Sequence, residues 1–164
     1  MRSRIIAGVA TLTTFGTFAA CGSDSAIAVD PTPTVTYISQ LNSANERPNP
    51  NASTATGTAT YTLKGNTLSF VITVTGLTGP ATASHIHVGA ASASGGVIVP
   101  FVTGSVQSGN LTAGTIDLTS TISNGTSTIT GDSLKVLLNN GNAYTNVHTS
   151  ANGGGEIRGQ IIKQ

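Results

Sequence analysis

The chain has 164 residues, a formal net charge of +1, only 8% charged residues and no tryptophan. Charge this sparse and balanced leaves no basic face for nucleic acid and no polybasic patch for a lipid surface. With 38% hydrophobic residues that recur at regular spacing, the composition also excludes a disordered chain and points to extended structure.

Residues 1–21 read as a signal peptide. Arg2 and Arg4 precede the mildly apolar run from Ile5 to Phe18, and the pair Ala19-Ala20 leads into Cys21. The run is too short and too rich in Thr and Gly to span a bilayer. Cys21 is the single cysteine, so no internal disulfide is possible. Its setting, Phe18-Ala-Ala-Cys21-Gly, is similar to a bacterial lipobox, which implies lipidation at Cys21 and attachment of the mature protein to a membrane. The alternative is cleavage after Ala28, which would release a secreted protein. Both place it outside the cytoplasm, in the periplasm or at the cell exterior, where a partner would be an extracellular or periplasmic protein. Residues 22–34, polar with two prolines, form a flexible tether. Residues 35–164 are long enough for one domain with a core.

Period two dominates this domain. Thr58, Thr60, Thr62 and Lys64 alternate with Ala59, Tyr61 and Leu63; after Gly65-Asn66 the pattern resumes with Leu68, Phe70, Ile72 and Val74. Two alternating runs joined by such a pair predict a β-hairpin with one buried face. Gly76 to Pro80 reads as a turn, 84–88 as a strand, 89–96 as a Gly-rich loop and 97–102 as another strand. A strand is expected over 110–119, with Gly114 marking a bulge. Residues 132–139 are helical in pattern, with Asp132 or Ser133 as N-cap and Gly141 as the stop. Strands over 143–149 and 156–162 flank a Gly-rich loop. The fold class is therefore all-β: an antiparallel Greek-key sandwich or barrel with one short helix.

All three histidines fall in two extended segments, His85 and His87 in Ser84-His-Ile-His-Val and His148 in Asn146-Val-His-Thr. In a strand, residues two apart share a face, so His85 and His87 aim into one volume. If the strand carrying His148 lies beside them, three imidazoles converge, which is the minimum for a transition-metal site with an open position. Glu46 and Glu156 are candidate acceptors fixing an imidazole tautomer, against a structural reading in which Glu46 caps a turn and Glu156 pairs with Arg158. The glycines of 153–155 would permit positive φ or close backbone packing beside His148. Neither Gly-rich stretch has the lysine and following helix of a phosphate loop, and no nucleophile elbow supports a hydrolase.

The order of motifs, Leu41-Asn-Ser-Ala-Asn-Glu-Arg-Pro48, Gly76-Leu-Thr-Gly-Pro80, Ala83-Ser-His-Ile-His87, Asn146-Val-His-Thr149 and Gly154-Gly-Glu-Ile-Arg-Gly-Gln160, resembles the CHRD domain. That domain is named after chordin and occurs in bacterial exported proteins. More distantly, the His-x-His, Val-His and Gly-Gly-x-x-Arg order is similar to the copper half of the Cu/Zn superoxide dismutases. That similarity implies copper ligation by His85, His87 and His148, with Arg158 near an arginine that guides an anion. The chain has no fourth histidine for a bridge, no zinc cluster and no cysteine pair for the dismutase disulfide. The expectation is thus one copper (or zinc) ion bound by an exported domain. The alternatives are a metal-free adhesion or interaction module and, further off, a redox enzyme of the dismutase kind.

Overall fold

The computed structural model describes residues 32–101 and 103–164; the signal peptide, Cys21, and residues 22–31 of the tether lie outside them. The chain runs through β1 (Thr34–Asn42), a 3₁₀ turn (Ser43–Asn45), β2 (Thr56–Lys64), β3 (Thr67–Thr75), β4 (Ala81–Val88), β5 (Val97–Phe101) and β6 (Gly109–Asp117). A small hairpin of β7 (Thr121–Ser123) and β8 (Thr128–Thr130) precedes α1 (Gly131–Asn139), and β9 (Ala143–Thr149), β10 (Ile157–Gln160) and β11 (Ile162–Lys163) complete it.

The main sheet is antiparallel, with order β5-β4-β9-β10-β1-β2-β3-β6 and β11 beside β1. The β2–β3 hairpin forms as the alternation predicts. Lys64 pairs with Thr67, and Gly65 at φ +59° supplies the left-handed residue that a two-residue turn with Gly first requires. Ala59, Tyr61, Leu63, Leu68, Ile72 and Val74 are buried, while the intervening threonines face outward. The sheet curls until its two ends meet. Phe101 on edge strand β5 packs on Phe70 of β3, ring centroids 4.5 Å apart, and the Ala81 N–H bonds the Val106 carbonyl across the gap. The result is a nearly closed barrel with its core inside.

Two local expectations are corrected. The irregularity in β6 lies at Leu111, between the pairs Ile72–Thr112 and Thr73–Asn110, and Gly114 is regularly paired with Phe70. A Cβ on Gly114 would come within 3.2 Å of the Phe70 ring, so this glycine makes room for an aromatic and does not mark a bulge. The cap of α1 is Thr130, ahead of both Asp132 and Ser133 in the chain: its Oγ1 accepts from the Ser133 N–H at 3.1 Å. Leu134 and Leu138 anchor the helix to the core, and Gly141 at φ +65° follows its end.

Candidate metal centre

The position of the histidines follows from the pairing of β4 with β9. Ala83 lies opposite His148, His85 opposite Asn146, and His87 opposite Tyr144. Opposed residues share a face of an antiparallel pair, so all six lie on the outer side of the sheet. Ser84, Ile86, Thr145 and Val147 take the inner side and are fully buried. His148 is the diagonal neighbour of His85. Ring centroids are 5.1 Å apart for His85 and His148, 5.5 Å for His85 and His87, and 6.4 Å for His87 and His148.

Hydrogen bonds define the tautomers. His87 Nδ1 lies 2.9 Å from the Gly95 carbonyl and His148 Nδ1 lies 3.0 Å from the Gly153 carbonyl. A carbonyl only accepts, so both Nδ1 atoms carry the proton and both Nε2 atoms keep a lone pair. His148 Nε2 then accepts from His85 Nδ1 at 3.2 Å. His87 Nε2 is buried and has no partner among the described residues. An orphaned acceptor of this kind costs free energy unless something fills it.

One nitrogen from each ring lies within 4.8 Å of the others. Nitrogens bound at about 2.0–2.1 Å are separated by about 3.3 Å in tetrahedral geometry and by no more than about 4.2 Å. His85 Nδ1 and His148 Nε2 are already close to the first distance, and both can ligate once the His85 proton moves to its Nε2. Burial, reinforced by His148 and His87, holds the His85 pKa down at about 4. Burial also lowers those of His87 and His148, against the opposing pull of the Gly95 and Gly153 carbonyls. Neutral imidazoles at neutral pH are the form that ligates metal.

The surroundings hold the rings in place. Tyr144 stacks on His87 at 4.8 Å and 9°, and its hydroxyl accepts the Gly95 N–H at 3.2 Å and faces the Gly95 carbonyl at 3.3 Å. The Arg158 guanidinium lies 3.5 Å from the centroid of the same Tyr144 ring, and its Nη2 donates to the carbonyls of Ala90 and Ala93. Gly155, at φ +133°, has Asn146 Nδ2 and Glu46 Oε2 where a Cβ would stand, 2.6 Å from each. Only glycine fits there, as its place beside His148 implied.

Neither glutamate touches a histidine. Glu46 accepts from Asn146 Nδ2 at 2.6 Å, and burial pushes its pKa up to about 7 against the pull of Arg158, Asn146 and Arg47. Glu156 is fully buried and accepts from Ser53 Oγ, the Thr78 N–H, Thr78 Oγ1 and Thr149 Oγ1 at 2.6–2.8 Å. Burial alone would raise its pKa; these bonds outweigh burial and hold it below the ordinary value. Glu156 therefore does not pair with Arg158, and backbone carbonyls do the orienting expected of the carboxylates. Tyr144 and Asn146 belong to the site as well, though neither residue type singles itself out in the sequence. The period-two relation 144, 146, 148 is the signal that places both on the histidine face.

No curated protein and no solved structure matches the chain, so the similarity to the copper half of the superoxide dismutases finds no support beyond its motifs. The CHRD domain model matches residues 37–161, a span that holds the three histidines and every motif quoted for that resemblance. On that match, the chain belongs to the CHRD domain family.

Proposed function

We propose that this CHRD-domain protein is exported, is anchored through a lipid on Cys21, and binds one transition-metal ion through His85, His87 and His148, with copper preferred to zinc. The observation that carries the reading is the buried, unpartnered Nε2 of His87, within ligand reach of two other neutral imidazoles. Three nitrogen donors suit copper and zinc and disfavour ions that prefer oxygen; for one nitrogen site, Cu(II) binds more tightly than Zn(II). Three protein ligands leave a further position open to water or to a group on a partner. Copper bound there would supply redox or Lewis-acid chemistry. Superoxide consumption by the copper-loaded protein is the assay for the enzymatic extension.

A second reading has its own observation. Each histidine is also a tie in the metal-free protein: His87 to Gly95, His148 to Gly153, and His85 to His148. On that reading the domain is a metal-free adhesion or interaction module at the cell surface. Calorimetric titration with Cu(II) and Zn(II) separates the two. Binding of one ion per chain that disappears in the variant with His85, His87 and His148 all changed to Ala supports the metal site. Sub-stoichiometric binding that survives in that variant overturns it. Export and anchoring are tested by cell fractionation: Cys21→Ala should move the protein from the membrane to the soluble fraction outside the cytoplasm.

A further inference from the structure

A separate polar cavity lies on the same face of the sheet. It is lined by Asn45, Arg47, Ala91, Arg158 and Gln160 and has a volume of about 90 Å³. No histidine lines it, and Tyr144, which stacks on His87, also carries the Arg158 guanidinium. The space is large enough for ordered water or one small oxyanion.

Its walls are unusual in charge. Arg158 is only 2% exposed, yet among the described residues it forms no ion pair. Both Nη2 hydrogens go to the carbonyls of Ala90 and Ala93. Its Nε and Nη1 meet no protein acceptor among the described residues, and they are not among the atoms sealed from solvent without a partner. These three N–H donors are therefore left for the cavity that Arg158 lines. Arg47 is arranged similarly: its Nη1 donates to the Ala44 and Glu46 carbonyls, and its remaining donors are unused among the described residues. Gln160 lines the cavity with its amide held in place by two bonds from Nε2, to the Gly89 and Gly141 carbonyls.

Two guanidinium groups that are held by neutral carbonyls keep their charge for something else, and Arg is the residue best suited to planar oxyanions. We propose that this cavity binds a small oxyanion, of the carbonate or phosphate kind, between Arg158 and Arg47. Among the described residues, Glu46 is the carboxylate whose charge acts on Arg158, and it opposes the anion.

The test is an NMR titration of the whole protein, kept metal-free with chelator, at fixed pH and ionic strength. The Arg158 and Arg47 Nε–H signals and the Ala91 amide are followed with hydrogencarbonate, phosphate and chloride in separate arms. Saturable shifts with hydrogencarbonate or phosphate and none with chloride are expected, and the stronger arm names the anion. Arg47→Gln, at a half-buried position, should weaken binding at least tenfold, and Glu46→Gln should tighten it severalfold. Arg158→Lys should abolish it; because that position is buried, Arg47→Gln is the deciding variant if the lysine variant misfolds. Shifts that do not saturate, that chloride reproduces, or that Arg47→Gln leaves unchanged overturn the proposal.

Discussion

Two polar clusters, one buried and one half-buried, sit on neighbouring parts of this barrel, and their hydrogen bonds balance in opposite ways. Around Glu156, one carboxylate meets donors from Ser53, Thr78 and Thr149, and nothing is left over. Around His85, His87 and His148, three imidazoles converge and one acceptor is left unmet. The first cluster ties together the loop before β2, the turn before β4 and the end of β9, and its chemistry is finished by the fold itself. The second leaves one buried ring nitrogen that nothing among the described residues meets. Satisfied burial is the mark of structure; convergent, unsatisfied acceptors are the mark of a site.

The sharpest way to break this contrast is Glu156→Ala. Removing a buried carboxylate that serves four donors should cost about 3–5 kcal/mol, because Ser53, Thr78 and Thr149 lose a charged acceptor and cannot all reach water. Denaturant unfolding measures it, and a loss below about 1 kcal/mol would show that water replaces the carboxylate easily. His87→Ala is the matching change at the other cluster. It should lower Cu(II) affinity by at least about a hundredfold while changing the metal-free stability far less than Glu156→Ala does. Equal stability losses in the two variants would erase the distinction.

Acid should separate the clusters further. The histidine pKa values are lowered in the folded state, so the unfolded chain binds more protons below its own histidine pKa near 6.5. The histidines should therefore withdraw metal-free stability as pH drops from about 6.5 toward the His85 value of about 4, while Glu46, raised to about 7, acts in the opposite direction in parent and variant alike. Thermal unfolding against pH should show this slope in the parent and a weaker one in the triple alanine variant. Glu156, with its pKa held low, contributes in the same direction at lower pH: its stabilisation is present above the ordinary carboxylate pKa and is lost as pH falls through its folded value. The smallest effect belongs to Tyr144→Phe. It removes the hydroxyl that holds Gly95 but keeps the ring on His87. About 1 kcal/mol of stability and up to about tenfold in metal affinity should be lost. An unchanged affinity would mean that the Gly95 carbonyl alone orients His87.

What the sequence determined by itself was whatever depends on neighbours along the chain. The alternation from Thr56 to Thr75 specified two strands and their buried face, because the strand period is two and one face must leave water. Gly65-Asn66 specified the turn between them, and His85-x-His87 specified a shared direction for two imidazoles. The family motifs extended this reading over nearly the whole described domain. What only the tertiary structure decided was register and partner choice between distant segments. Residues 63 positions apart in the chain become diagonal neighbours in β4 and β9, and a shift of one residue would have put His148 in the core. The carbonyls of Gly95 and Gly153 orient two rings, yet every residue has a carbonyl, so no residue type announces the role. Glu156 stands two residues from Arg158 on the chain but meets Ser53, Thr78 and Thr149, while Arg158 turns to the face that β9 shares with the histidines. Local periodicity sets which way a side chain points; only packing sets what it finds there.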